Sequence, residues 1–106
     1  LDGMALRVPT TNVSIVDLHF TPARATTPEE INAVMKAAAA ASGGVLKYNE
    51  EKLVSIDFNH DPASAIFDAN HTRVLHGQAK VMAWYDNEWG FSNRMVDVVK
   101  VMAAAG

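Results

Sequence analysis

Residues 80–85 (Lys-Val-Met-Ala-Trp-Tyr) run straight into residues 86–92 (Asp-Asn-Glu-Trp-Gly-Phe-Ser), and this junction decides the fold. The first six residues are dense in apolar and aromatic strand formers. From Glu88 onward the period changes: Met95, Val98, Val99 and Met102 share one helical face, which predicts a C-terminal helix over about 88–104. Just upstream, His76-Gly77-Gln78 reads as a hairpin turn. Before it, residues 65–69 and 72–75 read as strand, with Asn70-His71 between them. Asp61-Pro62 signals another turn. Residues 53–58 alternate, with Val54, Ile56 and Phe58 on one face and Ser55 and Asp57 on the other, which predicts a further strand.

The N-terminal half follows the same logic. Residues 13–20 are strand formers, with Val16, Leu18 and Phe20 opposite Asp17 and His19. Residues 6–8 extend this into one long strand, interrupted at Pro9 and Asn12. Thr27-Pro28-Glu29-Glu30 is a helix start: a hydroxyl cap, proline at the first helical position and a glutamate to close a capping box. Ile31, Val34, Met35, Ala38 and Ala39 keep helical spacing until Gly43-Gly44 ends it, and residues 45–48 form a short strand. These elements predict an α+β domain: a mostly antiparallel or mixed sheet with helices on one face.

Composition excludes several classes of function. The chain has 106 residues, the size of one small domain or part of a larger one. Its net charge of -3 gives no electrostatic footprint for nucleic acid. The absence of cysteine rules out disulfides, thiolate metal sites and a thiol nucleophile within these residues. No run of 18 apolar residues exists to span a membrane, and the start carries no signal-peptide pattern. A cytoplasmic protein is expected, in which Leu1 continues an upstream sequence. His19, His60, His71 and His76 lack metal-ligand spacing. Asn59-His60-Asp61 is a turn rather than a catalytic pair, and no phosphate-binding glycine loop or nucleophile elbow is present.

Two polar residues stand out. Asn87 is either the N-cap of the last helix or a carboxamide facing a ligand, able to donate and accept at once. Arg7, in an apolar segment, is either an ordinary exposed or ion-paired arginine or a guanidinium fork for phosphate.

Residues 1–18 (Leu-x-Gly-Met-Ala-Leu-Arg-Val-Pro-Thr-x-Asn-Val-Ser-Ile-Val-Asp-Leu), 53–58 (Leu-Val-Ser-Ile-Asp-Phe) and 84–94 (Trp-Tyr-Asp-Asn-Glu-Trp-Gly-Phe-Ser-Asn-Arg) closely resemble the glyceraldehyde-3-phosphate dehydrogenase family. The resemblance spans essentially the whole chain and implies residues 1–106 of a catalytic domain's C-terminal part. It implies that Arg7 contacts substrate phosphate and that Asn87 binds the nicotinamide carboxamide of NAD, with Tyr85 and Glu88 in support. Phe91 stands where the family commonly has tyrosine, so packing near the nicotinamide is implied without that hydroxyl. The last helix is expected to lie against the family's nucleotide-binding domain, which these residues do not include. The family oxidatively phosphorylates an aldehyde through a cysteine thiolate and a histidine base. Neither is carried here, so no catalytic residue and no metal are expected in the segment, and the chain alone is expected to be inactive. In the intact enzyme the implied partners are glyceraldehyde 3-phosphate, inorganic phosphate and three further copies in a homotetramer. NADP is left open as cofactor. The erythrose-4-phosphate enzyme is a close alternative, against which Thr10 and Tyr85 lean, and a non-catalytic interaction module keeping the fold is a third.

Overall fold

The computed structural model describes residues 2–106. Five strands form one mixed sheet: β1 (Ser14–Phe20), β2 (Leu46–Asn49), β3 (Ala65–Asp68), β4 (Arg73–Leu75) and β5 (Gln78–Tyr85). Helix α1 (Pro28–Ala41) lies between β1 and β2, and α2 (Asn87–Ala105) follows β5. This is the α+β architecture expected from the sequence.

The apolar strand read at residues 80–85 is the centre of the sheet. The order is β1-β5-β3-β2, with β4 also paired to β5. β1 runs antiparallel to β5 from Ser14 opposite Tyr85 to Phe20 opposite Ala79. β3 and β4 lie end to end along the other side of β5, both antiparallel to it. The short helical turn Ala69–His71 separates them, at the expected Asn70-His71 break. β2 adds parallel to β3. The β4–β5 hairpin closes on His76 and Gly77 alone, with φ of 50° and 77°. Two consecutive left-handed residues match the twist of the flanking strands, which is why glycine belongs here.

α1 begins as its sequence dictates. The Thr27 hydroxyl accepts from the Glu30 amide at 3.2 Å, and Pro28 needs no donor there. The Glu30 carboxylate is held mainly by the Thr26 hydroxyl at 2.8 Å and by Arg24 at 3.1 Å. Gly43 and Gly44, both at positive φ, end the helix. The buried Thr72 hydroxyl donates to the Asn32 carbonyl at 2.7 Å, and the Asn32 amide donates to the Ala69 carbonyl at 3.2 Å. These two bonds tie α1 to the β3–β4 turn.

Two strand expectations fail. Residues 6–8 form no strand and lead into β1 as irregular chain. Pro9 lacks an amide donor, and the Thr10 amide instead closes a turn onto the Val8 carbonyl at 2.8 Å. Residues 53–58 alternate without pairing: Ser55–Phe58 is a short 3-10 helix. The Asp57 carboxylate accepts from the Val54 amide at 2.8 Å, while the Asp57 amide donates to the Val54 carbonyl at 3.0 Å. A short acidic side chain thus satisfies the backbone locally and removes it from the ladder. Phe58 is buried, but Val54 and Ile56 are exposed.

The core is small. Val13, Phe58, Ala63 and Ile66 pack together with Leu53 and Trp84 over them, and Phe58 stacks on Trp84 at 5.3 Å. Phe67 stacks on Tyr48 at 5.8 Å. The side chains of Val16, Leu18 and Phe20 remain open to solvent, as do Met95, Val98, Val99 and Met102 on α2. No helix of the described residues is long and apolar enough to cross a membrane.

Only Gly90 of α2 is buried. A Cβ at this position would stand 2.7 Å from the Ala63 carbonyl oxygen, so the helix start approaches the core as only glycine allows. Gly90→Ala is expected to lower stability by about 1–3 kcal/mol, overpacking outweighing alanine's better helix propensity. A urea midpoint equal to or above that of the unaltered chain would show that the helix start is free to slide away from Ala63.

Candidate functional site at the strand-to-helix junction

β5 ends at Tyr85 and α2 begins at Asn87, leaving Asp86 between them. The cap is therefore Asp86, not Asn87. Its Oδ1 accepts from the Trp89 amide at 2.9 Å and the Glu88 amide at 3.2 Å. Its Oδ2 accepts from the His60 amide and from the Asn12 carboxamide, each at 2.9 Å. The residue is 1% exposed. Burial pushes this carboxyl's pKa up, but the bonds from Trp89, His60, Glu88 and Asn12 prevail and hold it below the ordinary aspartate value. Both Asp86 and Asn87 suit a cap by type. Asp86 takes the position because the strand stops one residue earlier and a fully bonded carboxylate accepts more from first-turn amides.

Asn87 is thereby released. It is the first helical residue and exposed, and among the described residues its carboxamide makes no hydrogen bond. Tyr85 is half-buried, Glu88 is exposed, and the Phe91 ring is 65% exposed on the next turn. Arg7 is likewise exposed and has no ion-pair partner among the described residues. Because Ser14 pairs with Tyr85, the segment carrying Arg7 enters the sheet at the end where Asn87 leaves it.

Asn12, which the sequence marks only as a break in the first strand, links these two segments. Its amide nitrogen donates to Asp86 and, at 2.7 Å, to the Asn59 side-chain oxygen. Val13, next to it, is buried and holds φ at 71°, a costly conformation for a β-branched residue. No spacing rule marks a contact between residues so far apart in sequence. The His60 ring packs tilted against Trp89, with ring centroids 4.9 Å apart, so this histidine supports the junction from the side.

A second buried carboxylate, Asp68, lies in the sheet. It accepts from the Trp84 indole at 2.9 Å, from the Asn70 amide at 3.1 Å, from the Asn70 side chain at 3.0 Å and faces His71 Nδ1 at 3.1 Å. Burial raises its pKa, yet the Trp84 and Asn70 donors carry it below the ordinary value. Asp68, Asn70 and His71 line an open cleft of about 430 Å³ with Glu51, Lys52 and Leu53, and neither Arg7 nor Asn87 reaches it. No group of three metal-ligating side chains occurs among the described residues.

The fold and site define a mixed-sheet domain with an unengaged carboxamide just beyond the end of its central strand and an unengaged arginine in the irregular segment that leads into β1. Residues 1–87 match the family described as glyceraldehyde 3-phosphate dehydrogenase, C-terminal domain. The chain is 59% identical over 106 residues to the chromosomal glyceraldehyde-3-phosphate dehydrogenase of Cupriavidus necator, covering 99% of this chain and 32% of that protein. It is 57% identical over 105 residues to the Pseudomonas aeruginosa enzyme of the same name, covering 99% of this chain and 31% of that protein. The chain belongs to the glyceraldehyde 3-phosphate dehydrogenase family, as a C-terminal segment. It spans about a third of the length of these relatives.

Proposed function

We propose that residues 1–106 are the C-terminal part of the catalytic domain of an NAD-dependent enzyme that oxidatively phosphorylates glyceraldehyde 3-phosphate in glycolysis. Within it the chain positions ligands rather than performing bond-breaking chemistry. The observation that carries this reading is the exposed, unbonded Asn87 carboxamide beside the capping Asp86. A carboxamide has one donor edge and one acceptor edge, the complement of another carboxamide. Asn87 therefore fits the amide of a nicotinamide ring, and the first turn of α2 fixes the direction from which it does so. The cofactor, when bound, supplies a hydride acceptor; Asn87 orients its ring, with Tyr85, Glu88 and Phe91 around it. NADP is an alternative cofactor for the same contacts.

Arg7 supplies the second half of the reading. An exposed guanidinium with no carboxylate partner is suited to bidentate contact with a phosphate of the aldehyde or with inorganic phosphate. The activity belongs to a cytoplasmic homotetramer in which the thiolate and the base come from outside this segment, which contains no cysteine. The isolated chain is expected to produce no NADH above a blank.

The test is a chimera in which this segment replaces the matching third of the Cupriavidus necator relative. Arg7→Ala in that enzyme is expected to lower kcat/KM for glyceraldehyde 3-phosphate by about 2–3 kcal/mol, the worth of a charge-assisted phosphate contact. Steady-state kinetics unchanged by Arg7→Ala would refute the phosphate role.

A further inference from the structure

We infer that Asn12 is a positioning residue, which locks the segment bearing Arg7 onto the first turn of the helix that presents Asn87. The inference rests on the roles just proposed for Arg7 and Asn87. Its structural basis is a four-membered polar cluster. The Asn12 amide bridges the Asn59 carbonyl oxygen at 2.7 Å and the Asp86 carboxylate at 2.9 Å. The same Asp86 oxygen accepts from the His60 amide, and the other Asp86 oxygen holds the amides of Glu88 and Trp89. Asn12 is thus one bond from the carboxylate that sets the direction of α2, and Asn87 is the first residue of that helix.

Residues 2–12 form no strand or helix, and Asn12 makes their only side-chain hydrogen bonds to a distant part of the described chain. Without Asn12, the segment would be held at its C-terminal end by β1 pairing and by Val13 in the core, with no side-chain hydrogen bond fixing its approach to the helix. An amide nitrogen is needed: it gives two protons to two acceptors, one of them charged, as neither a hydroxyl nor a carboxylate can. The strained backbone of Val13 sits beside this anchor, consistent with a chain forced into one entry path.

The consequence is coupling. In the chimera, Asn12→Ala is expected to raise KM for the phosphate-bearing aldehyde and KM for the dinucleotide together, each about tenfold, the effect of losing a hydrogen bond to a charged group. Asn49→Ala is the matched control. Asn49 is a buried asparagine whose side-chain amide donates to the Glu51 backbone carbonyl at 2.8 Å, but it belongs to the far edge of the sheet. It is expected to lower the urea midpoint while leaving both KM values unchanged. If Asn12→Ala shifts one KM alone or neither, or if Asn49→Ala shifts both equally, the positioning role is overturned. Arg7→Ala and Asn87→Ala are measured beside them. If those two leave kinetics unchanged, the ligand roles themselves fall; if they act while Asn12→Ala does not, only the coupling falls.

Discussion

Asp86→Ala is expected to destabilise the chain by about 3–5 kcal/mol, read as a fall in the urea midpoint. Loss of an N-cap alone costs about 0.5–2 kcal/mol. Here the same truncation also removes the acceptor of the His60 amide and one of the two acceptors of the Asn12 amide, and a hydrogen bond to a charged group contributes about 1.5–3 kcal/mol. Water entering the space left by the carboxylate recovers part of the sum. A loss below about 1 kcal/mol would mean that α2 is capped equally well without Asp86.

The charge carries its own signature. The folded-state pKa of Asp86 lies below the ordinary aspartate value of 3.8, and so does that of Asp68. A depressed folded pKa means that the unfolded chain binds protons first as pH falls. The stabilisation from both groups is therefore full above the unfolded value and is lost below it, as pH drops toward the folded values. Asp86→Asn keeps the shape but cannot titrate, so its acid limb is expected to be flatter than that of the parent below about pH 4. An identical acid limb would assign the dependence to the other carboxylates with lowered pKa, Asp68, Asp17 and Glu30.

Phe67→Ala is the second large effect, expected at about 3–5 kcal/mol, as for other buried phenylalanines. Phe67 is 1% exposed, stacks on Tyr48 and pairs in register with Ala83 of β5. Its removal leaves a cavity between β2 and the central strand, in a domain whose core offers few residues to fill it. Because Phe67 precedes Asp68, slackening there also loosens the Trp84 indole bond. The measurement is the urea midpoint together with the near-ultraviolet circular dichroism of the tryptophans. A retained aromatic spectrum with an unchanged midpoint would place the stability of the sheet elsewhere.

Most of the fold was legible because its signals are local. Thr27-Pro28 starts α1, Gly43-Gly44 ends it, and His76-Gly77 closes the hairpin at the expected place. Residues 53–58 misled because alternation records only which side chains are apolar, whereas Asp57 turned the backbone back upon itself. Residues 6–8 misled in the same way: strand formers make a strand only where a neighbour offers hydrogen bonds. The site was legible as residue types but not as roles. Asn87 was visible as a polar residue at a helix start, yet its freedom depended on Asp86 taking the cap. Asn12 was hidden because its partners lie 47 and 74 residues away.

The order of the strands also sets how the molecule is assembled. β5 is the last strand in the sequence and the middle one in the sheet, touching β1, β3 and β4. Of these five strands β1 is made first, and its antiparallel neighbour β5 follows only after the other three. Closing so large a loop is slow, and an unpaired apolar strand is exposed to wrong partners while it waits. The two-residue hairpin between β4 and β5 forms on the microsecond scale of such turns and provides the template on which β1 then docks. A substitution at Gly77 that disfavours the left-handed turn therefore acts first on the yield of folded chain, before any effect on its final stability.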